Sequence, residues 1–243
     1  MALVDLLALK QHEVVSIVGS GGKTTLLNAL AQIYHKQKIL MTTTTKIFPP
    51  TQDLYQSAIL TNTASTSAAN GVTLWGIPNV NGKLSAPNLA LLKKQLINYD
   101  KILIEADGAK RKPLKAWADF EPVVISDTTI TIGILPLNIC GQKINASLVH
   151  RLDIFLALGD FYLGQVINPT VLARVISHPQ GLFKGARGRK ILLLNRVASP
   201  QTKAWAQQVV AALPAQCRAD LSLIVGGNFK EQQEWKKYGK TSN

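Results

Sequence analysis

One segment restricts the fold more than any other. An apolar run at residues 14–18 leads directly into Gly19-Ser20-Gly21-Gly22-Lys23-Thr24-Thr25, and Leu26, Leu27, Leu30, Ile33 and Tyr34 then fall on one face of a helix. This is a strand, a glycine-rich turn and a helix N-terminus in succession. Glycines let backbone amides curl around anionic oxygens without Cβ clashes, and the helix end adds partial positive charge. Lys23 has the reach for β- and γ-phosphates, and the Thr24 hydroxyl can ligate Mg²⁺. The expected ligand is ATP or GTP with Mg²⁺, cradled by Gly19, Ser20, Gly21, Gly22, Lys23, Thr24 and Thr25.

The usual eight-residue phosphate-loop pattern starts with Gly, and Ile17 stands there instead. The remaining Gly-x-x-Gly-Lys-Thr core resembles the short loop of Mur-type peptide ligases, which keeps a ligase or kinase reading open beside hydrolysis. A triphosphate site also needs a carboxylate at a neighbouring strand end to hold Mg²⁺ or its waters. Lys101-Ile102-Leu103-Ile104-Glu105-Ala106-Asp107-Gly108 supplies two acids. Glu-x-x-Gly resembles the metallochaperone branch of the P-loop GTPases. Glu105 is expected in the metal shell and Asp107 in positioning water or substrate, with Lys23 as the third catalytic group.

A second strand runs into Thr42-Thr43-Thr44-Thr45-Lys46, placing hydroxyls at the sheet edge where open α/β folds bind ligands. Thr44 is expected to complete the metal shell, and Thr45 and Lys46 to face a substrate. Lys110, Arg111, Lys112 and Lys115 follow the acidic turn and are expected to face phosphate or substrate. Residues 191–194 end in Asn195-Arg196-Val197-Ala198, the shape of a guanine-reading element. Asn195 and Arg196 are expected at the base. Ala198 replaces the Asp that would pair with guanine, so ATP and GTP both stay open.

Further apolar runs at residues 39–41, 102–104, 123–125, 130–135, 191–194 and 221–225 read as strands buried on both faces, with helical patterns at 88–98 and 201–213 between them. This alternation predicts a three-layer α/β fold, a mainly parallel sheet with helices on both faces. Residues 1–229 are expected to form one domain, 56–87 a Thr/Ser/Asn/Gly-rich surface excursion around a possible strand at 72–76, and 230–243 a basic, frayed tail. Residues 1–7 read as a short helix packed on the first strand.

The 27 Lys and Arg against 14 Asp and Glu give a net charge of +13, and the segment from Arg174 to Asn243 holds 12 of the bases but 3 of the acids. With 6% aromatic residues and no recognised nucleic-acid motif, binding of DNA or RNA ranks last among the readings. Two cysteines at unrelated positions form neither a disulfide framework nor a metal spacing, and the cytoplasm is the expected compartment. No apolar stretch approaches the roughly 18 residues of a membrane span.

Taken together, Val18-Gly19-Ser20-Gly21-Gly22-Lys23-Thr24-Thr25, Thr42-Thr43-Thr44-Thr45-Lys46-Ile47-Phe48-Pro49-Pro50, Ile104-Glu105-Ala106-Asp107-Gly108-Ala109-Lys110, Val149-His150-Arg151 and Leu194-Asn195-Arg196-Val197 resemble the YqeC family. The resemblance runs from about residue 14 to residue 197. It implies a P-loop NTPase fold and a part in maturing the cofactor of a selenium-dependent molybdenum hydroxylase, so that enzyme or its cofactor is the expected partner. His150 and Arg151 are candidate substrate contacts. Cys140 would be a sulfur or selenium carrier only as a thiolate, and a buried inert thiol is expected.

Overall fold

Continuous apolar strands need cover on both faces. The computed structural model describes residues 1–63, 70–229 and 235–239. The first half contains α1 (Leu3–Leu7), β1 (Glu13–Gly19), α2 (Lys23–Ile33), β2 (Lys38–Thr43), β3 (Lys46–Ile47), β4 (Ser57–Ile59), β5 (Gly71–Trp75), β6 (Ile77–Pro78), β7 (Leu84–Ser85), α3 (Leu89–Gln95) and β8 (Lys101–Glu105). The second half contains β9 (Leu114–Lys115), β10 (Ile130–Pro136), β11 (Val149–His150), α4 (Leu152–Ala157), α5 (Pro169–Ser177), β12 (Arg189–Asn195), α6 (Pro200–Ala212), α7 (Ala215–Asp220), β13 (Leu221–Gly226) and β14 (Lys236–Lys237).

The main sheet runs β14-β13-β12-β10-β1-β8-β2-β5-β4, parallel throughout except for β14. Side chains alternate between its two faces. Val15 and Ile17 join Leu26, Leu27 and Leu30 of α2 and Leu3, Leu6 and Leu7 of α1 in one core layer. On the opposite face, Val18, Leu135, Leu192 and Leu194 pack with residues of α4, α5 and α6, while Val14, Leu40, Ile102 and Ile104 pack with Leu92 of α3. The fold is a three-layer α/β sandwich with the phosphate-loop candidate at the C-terminal end of a central strand.

Strand order decides which side chains can meet. β8 inserts between β1 and β2, so Glu105 lies in register with Ile17 on one side and Thr43 on the other. The glycine turn, the acidic turn and the threonine run therefore leave the sheet side by side.

Three expectations need correction. Residues 123–125 form no strand. Both edges of β8 are already taken by β1 and β2, and three apolar residues between Pro122 and Ser126 offer little to pair with. Val123 instead hydrogen-bonds the Ala106 carbonyl at 3.0 Å. Residues 56–87 are more than an excursion: β4 and β5 extend the main sheet beyond β2, and β6 and β7 build a small antiparallel sheet with β3. The strand expected at residues 72–76 is β5, buried along its whole length. In the tail expected to fray, Lys236 pairs with Gly226 and Lys237 with Val225, and Trp235 is buried against Phe229. Residues 230–234 and 240–243 lie outside the described residues.

Among the described residues, no helix is long and apolar enough to cross a membrane.

Because Leu30 is wholly buried where α2 meets the sheet, Leu30→Ala should lower unfolding free energy by about 2–5 kcal/mol. Urea titration measures this, and a loss below about 1 kcal/mol would mean α2 is held by something other than this packing.

Candidate functional site

The turn after β1 cannot tolerate side chains. Gly19 (φ 100°) and Gly21 (φ 74°) occupy left-handed backbone, and a Cβ would lie 2.2 Å from the Ile134 carbonyl oxygen or 2.4 Å from Pro136 Cγ respectively. The helix that follows starts on Gly22 with no side-chain capping hydrogen bond. In contrast, α3, α5 and α6 are capped by Asn88, Asn168 and Ser199. α2 thus presents uncapped amide groups to the cleft in front of it, an arrangement suited to an anion.

Lys23, at the first position of α2, is buried and donates to the Gly19 carbonyl at 2.6 Å. Its ammonium lies 3.3 Å from Asp107 Oδ1 and 3.8 Å from Glu105 Oε1. Thr24 is exposed and donates to Glu105 Oε2 at 2.9 Å. A hydroxyl and a carboxylate meeting at the start of a helix behind a glycine turn are oxygen donors of the kind Mg²⁺ takes. Among the described residues, no three His, Cys, Asp or Glu side chains converge on a site that could hold a metal by themselves. Burial pushes the Glu105 carboxyl above its ordinary range, against the Lys23 charge and the Thr24 hydrogen bond that pull it down.

Asp107 departs from expectation. It has no solvent exposure, and its Oδ2 accepts from the Gly19 amide (3.0 Å) and the Trp117 indole (2.6 Å) and lies 3.0 Å from the Lys115 ammonium. Its Oδ1 has no hydrogen bond and faces Lys23 alone. The side chain is turned under the loop, away from the cleft, because only there can its charge meet two lysines and two N–H groups. Lys115 is likewise buried, bridging Asp107, Glu121 and the Gly108 carbonyl. It faces neither phosphate nor substrate.

Asn195 is also an inward brace. Its amide donates to the Gly21 carbonyl at 2.6 Å, and its carbonyl accepts from the Arg196 amide at 2.8 Å. Ser20 is buried with its hydroxyl on the Pro113 carbonyl. Thr44, expected at the metal, donates to the Val123 carbonyl at 2.7 Å, and Thr43 to that of Glu105 at 2.8 Å.

The remaining candidates share one cleft of about 1150 Å³. Gly21, Gly22, Lys23, Thr24, Thr25, Glu105 and Arg196 line it together with Thr44, Thr45, Lys46, Lys110, Lys112, His150 and Arg151. Lys112 is spent on the carbonyls of Ala146 and Val149. Arg151 makes a two-point contact with Glu121. Burial and the neighbouring Arg151 and Lys115 charges push the His150 imidazole down to about 4, so it is neutral near pH 7. Burial pushes the Cys140 thiol up to about 11, which excludes a resting thiolate. Trp117, Glu121 and Lys83 belong to none of the sequence motifs, and Phe48 stands in the threonine-run motif with no role expected of it. Trp117 and Glu121 connect to the loop through Asp107 and Lys115, and Phe48 and Lys83 line the cleft.

Asp107→Ala should lower unfolding free energy by about 3–5 kcal/mol, because it takes a carboxylate from the buried Lys115 and Lys23 and leaves the Gly19 amide and Trp117 indole without an acceptor. A side chain that only positioned water would cost less than about 0.5 kcal/mol on removal, and denaturant titration separates the two. For His150 the folded value of about 4 lies below the ordinary 6.5. The unfolded chain therefore takes the proton first, and this residue's stabilisation is full above 6.5 and lost on acidification towards 4. His150→Gln should flatten the melting-temperature profile across that window relative to the parent, and parallel profiles would refute the assignment.

The YqeC protein family model matches residues 15–153, more than half of the chain. A protein of Escherichia coli (strain K12) described as uncharacterized protein YqeC is 32% identical over 205 residues, 80% of each chain. No solved structure matches the chain at a significant level. The family match covers the glycine turn, the threonine run and the Glu105 turn, and with that coverage the chain belongs to the YqeC family.

Proposed function

We propose that this protein binds a nucleoside triphosphate with Mg²⁺ and hydrolyses it as a P-loop NTPase. The observation that carries the proposal is the uncapped start of α2 behind a glycine turn, with Thr24 and Glu105 2.9 Å apart at its mouth. Lys23 would neutralise β- and γ-phosphate oxygens, a role for which it would leave the Gly19 carbonyl it now holds. Thr24 and Glu105 would hold the ion or its waters. Magnesium, when bound, supplies charge neutralisation across the transferred phosphoryl group. Burial makes the Glu105 charge costly, so its ionised form is favoured once a cation stands against it.

The wider role is a proposal that rests on what the sequence resemblance implies. Nucleotide hydrolysis would serve maturation of the cofactor of a selenium-dependent molybdenum hydroxylase. A second reading, phosphoryl transfer to a small acceptor, draws on one feature: the cleft continues beyond the loop along Lys46, Lys110 and Arg111. Steady hydrolysis without an added acceptor favours the first reading. Turnover that requires one favours the second.

Calorimetry with non-hydrolysable ATP and GTP analogues tests the site. Lys23→Ala should weaken binding at least ~100-fold, about 2.7 kcal/mol. Thr24→Ala should keep the melting temperature and lose the Mg²⁺ enhancement. Binding that is unchanged in both variants would dismiss the proposal. Ala198 offers no carboxylate to guanine, and Asn195 is committed to the loop. The two analogues should therefore bind within about 10-fold of each other, the loss of a bidentate base contact being worth roughly 1–3 kcal/mol.

A further inference from the structure

With the loop assigned to a nucleotide, the cleft retains more room and more positive charge than that ligand uses. Its volume of about 1150 Å³ exceeds the roughly 300–1,000 Å³ of a single small-molecule site. Eight basic side chains line it against two carboxylates, Glu105 and Glu121, and Glu121 is already met by Lys115 and Arg151. Lys46, Lys83, Lys110 and Arg111 stand on the wall built by β3, the turn before β7 and the turn after β8, elements separate from the phosphate loop.

Two further observations distinguish this wall from a merely solvated face. Among the described residues, seven non-glycine residues have positive φ, and four of them are basic residues of this cleft: Lys110 (48°), Arg111 (61°), Arg151 (61°) and Arg196 (63°). Left-handed backbone is unfavourable for such side chains, and four instances of it gather around this one cleft. In addition, Phe48 is 46% exposed with Arg111 and Lys83 over its ring at 4.3 and 4.8 Å, and Phe120 is 70% exposed with Arg151 at 5.2 Å. A cation held against an exposed ring can receive a flat group and an anion together.

We propose that this wall is a second-ligand subsite, taking a small molecule that carries a phosphate-type dianion on a planar ring while nucleotide occupies the loop. The inference rests on the nucleotide reading, since it assigns the loop to a different ligand. Phenyl phosphate combines the two features and serves as the probe. Protein saturated with a non-hydrolysable ATP analogue and Mg²⁺ should bind it saturably in calorimetry. Arg111→Gly, which suits the left-handed backbone, and Phe48→Ala should each weaken that binding by ~10-fold or more, with nucleotide affinity held within ~2-fold. Melting temperatures check that both variants fold. The subsite is overturned by an absence of saturable binding, by competition with the nucleotide analogue for one site, or by binding that survives both substitutions. If the analogue itself fails to bind, the titration is repeated on ligand-free parent and on Lys23→Ala. Probe binding that persists in Lys23→Ala supports the subsite and sinks only the nucleotide reading. Binding lost in Lys23→Ala puts the probe on the loop and overturns the subsite.

Discussion

A carboxylate with no access to water has to be met by donors or it will not stay where it is. Asp107 meets this demand by drawing together two segments far apart in the chain: the Gly19 amide and Lys23 ammonium of the glycine turn, and the Lys115 ammonium and Trp117 indole. Each contact fixes something the site needs. The Gly19 contact sets where the glycine turn begins. The Lys23 contact draws the first residue of α2 down towards β8. Through Lys115 the network continues to Glu121 and on to Arg151, so a rim residue of the cleft is tied to the floor of the loop. Breaking such a cluster at one member leaves several charges unmatched at once, which is why its members behave as a unit.

This arrangement divides the charges near the loop into two populations. Lys115 has no solvent exposure and is fully committed within the network. Among the described residues, Lys46, Lys110 and Arg196 have no carboxylate partner, and they line open space. Lys23 stands between the two, buried but at the mouth of the cleft. A chain can place uncompensated positive charge around a cavity when a buried network holds the underlying backbone rigid. Asp107 and Asn195 brace the turn at Gly19 and Gly21.

What the sequence disclosed, and what it did not, follows the range of the interactions. The buried strands, the glycine turn and α2 are local patterns, each contained in a few consecutive residues, and so is Glu105 at a strand end. Asp107 lies two residues from Glu105 and shares its chemistry. It was assigned to the cleft because nothing local distinguishes a carboxylate facing water from one facing Lys115 and Trp117. Asn195 matched a base-reading pattern, yet its amide is spent on Gly21, 174 residues away along the chain. Residues 123–125 had a strand's composition but no free edge to join, a constraint set by β1 and β2 flanking β8. The apolar residues of β5 are legible as a strand, but its place in the main sheet beside β2 depends on long-range pairing that its Thr-, Ser- and Asn-rich flanks do not disclose.

The threonine run shows how partner choice limits function. Of four consecutive hydroxyls at the end of β2, Thr42 donates to the Trp75 carbonyl, Thr43 to that of Glu105 and Thr44 to that of Val123. Three are thus engaged with backbone carbonyls around the end of the sheet, that of Glu105 also accepting from the Thr44 amide, and buried carbonyls need such donors. The run is therefore mostly a device for ending a sheet cleanly beside a cavity. Thr45 is the exception: its amide, not its hydroxyl, is held by Thr43, and it lines the cleft beside Lys46. A motif that reads as four ligands is in physical terms three closures and one side chain left to face whatever enters the cleft.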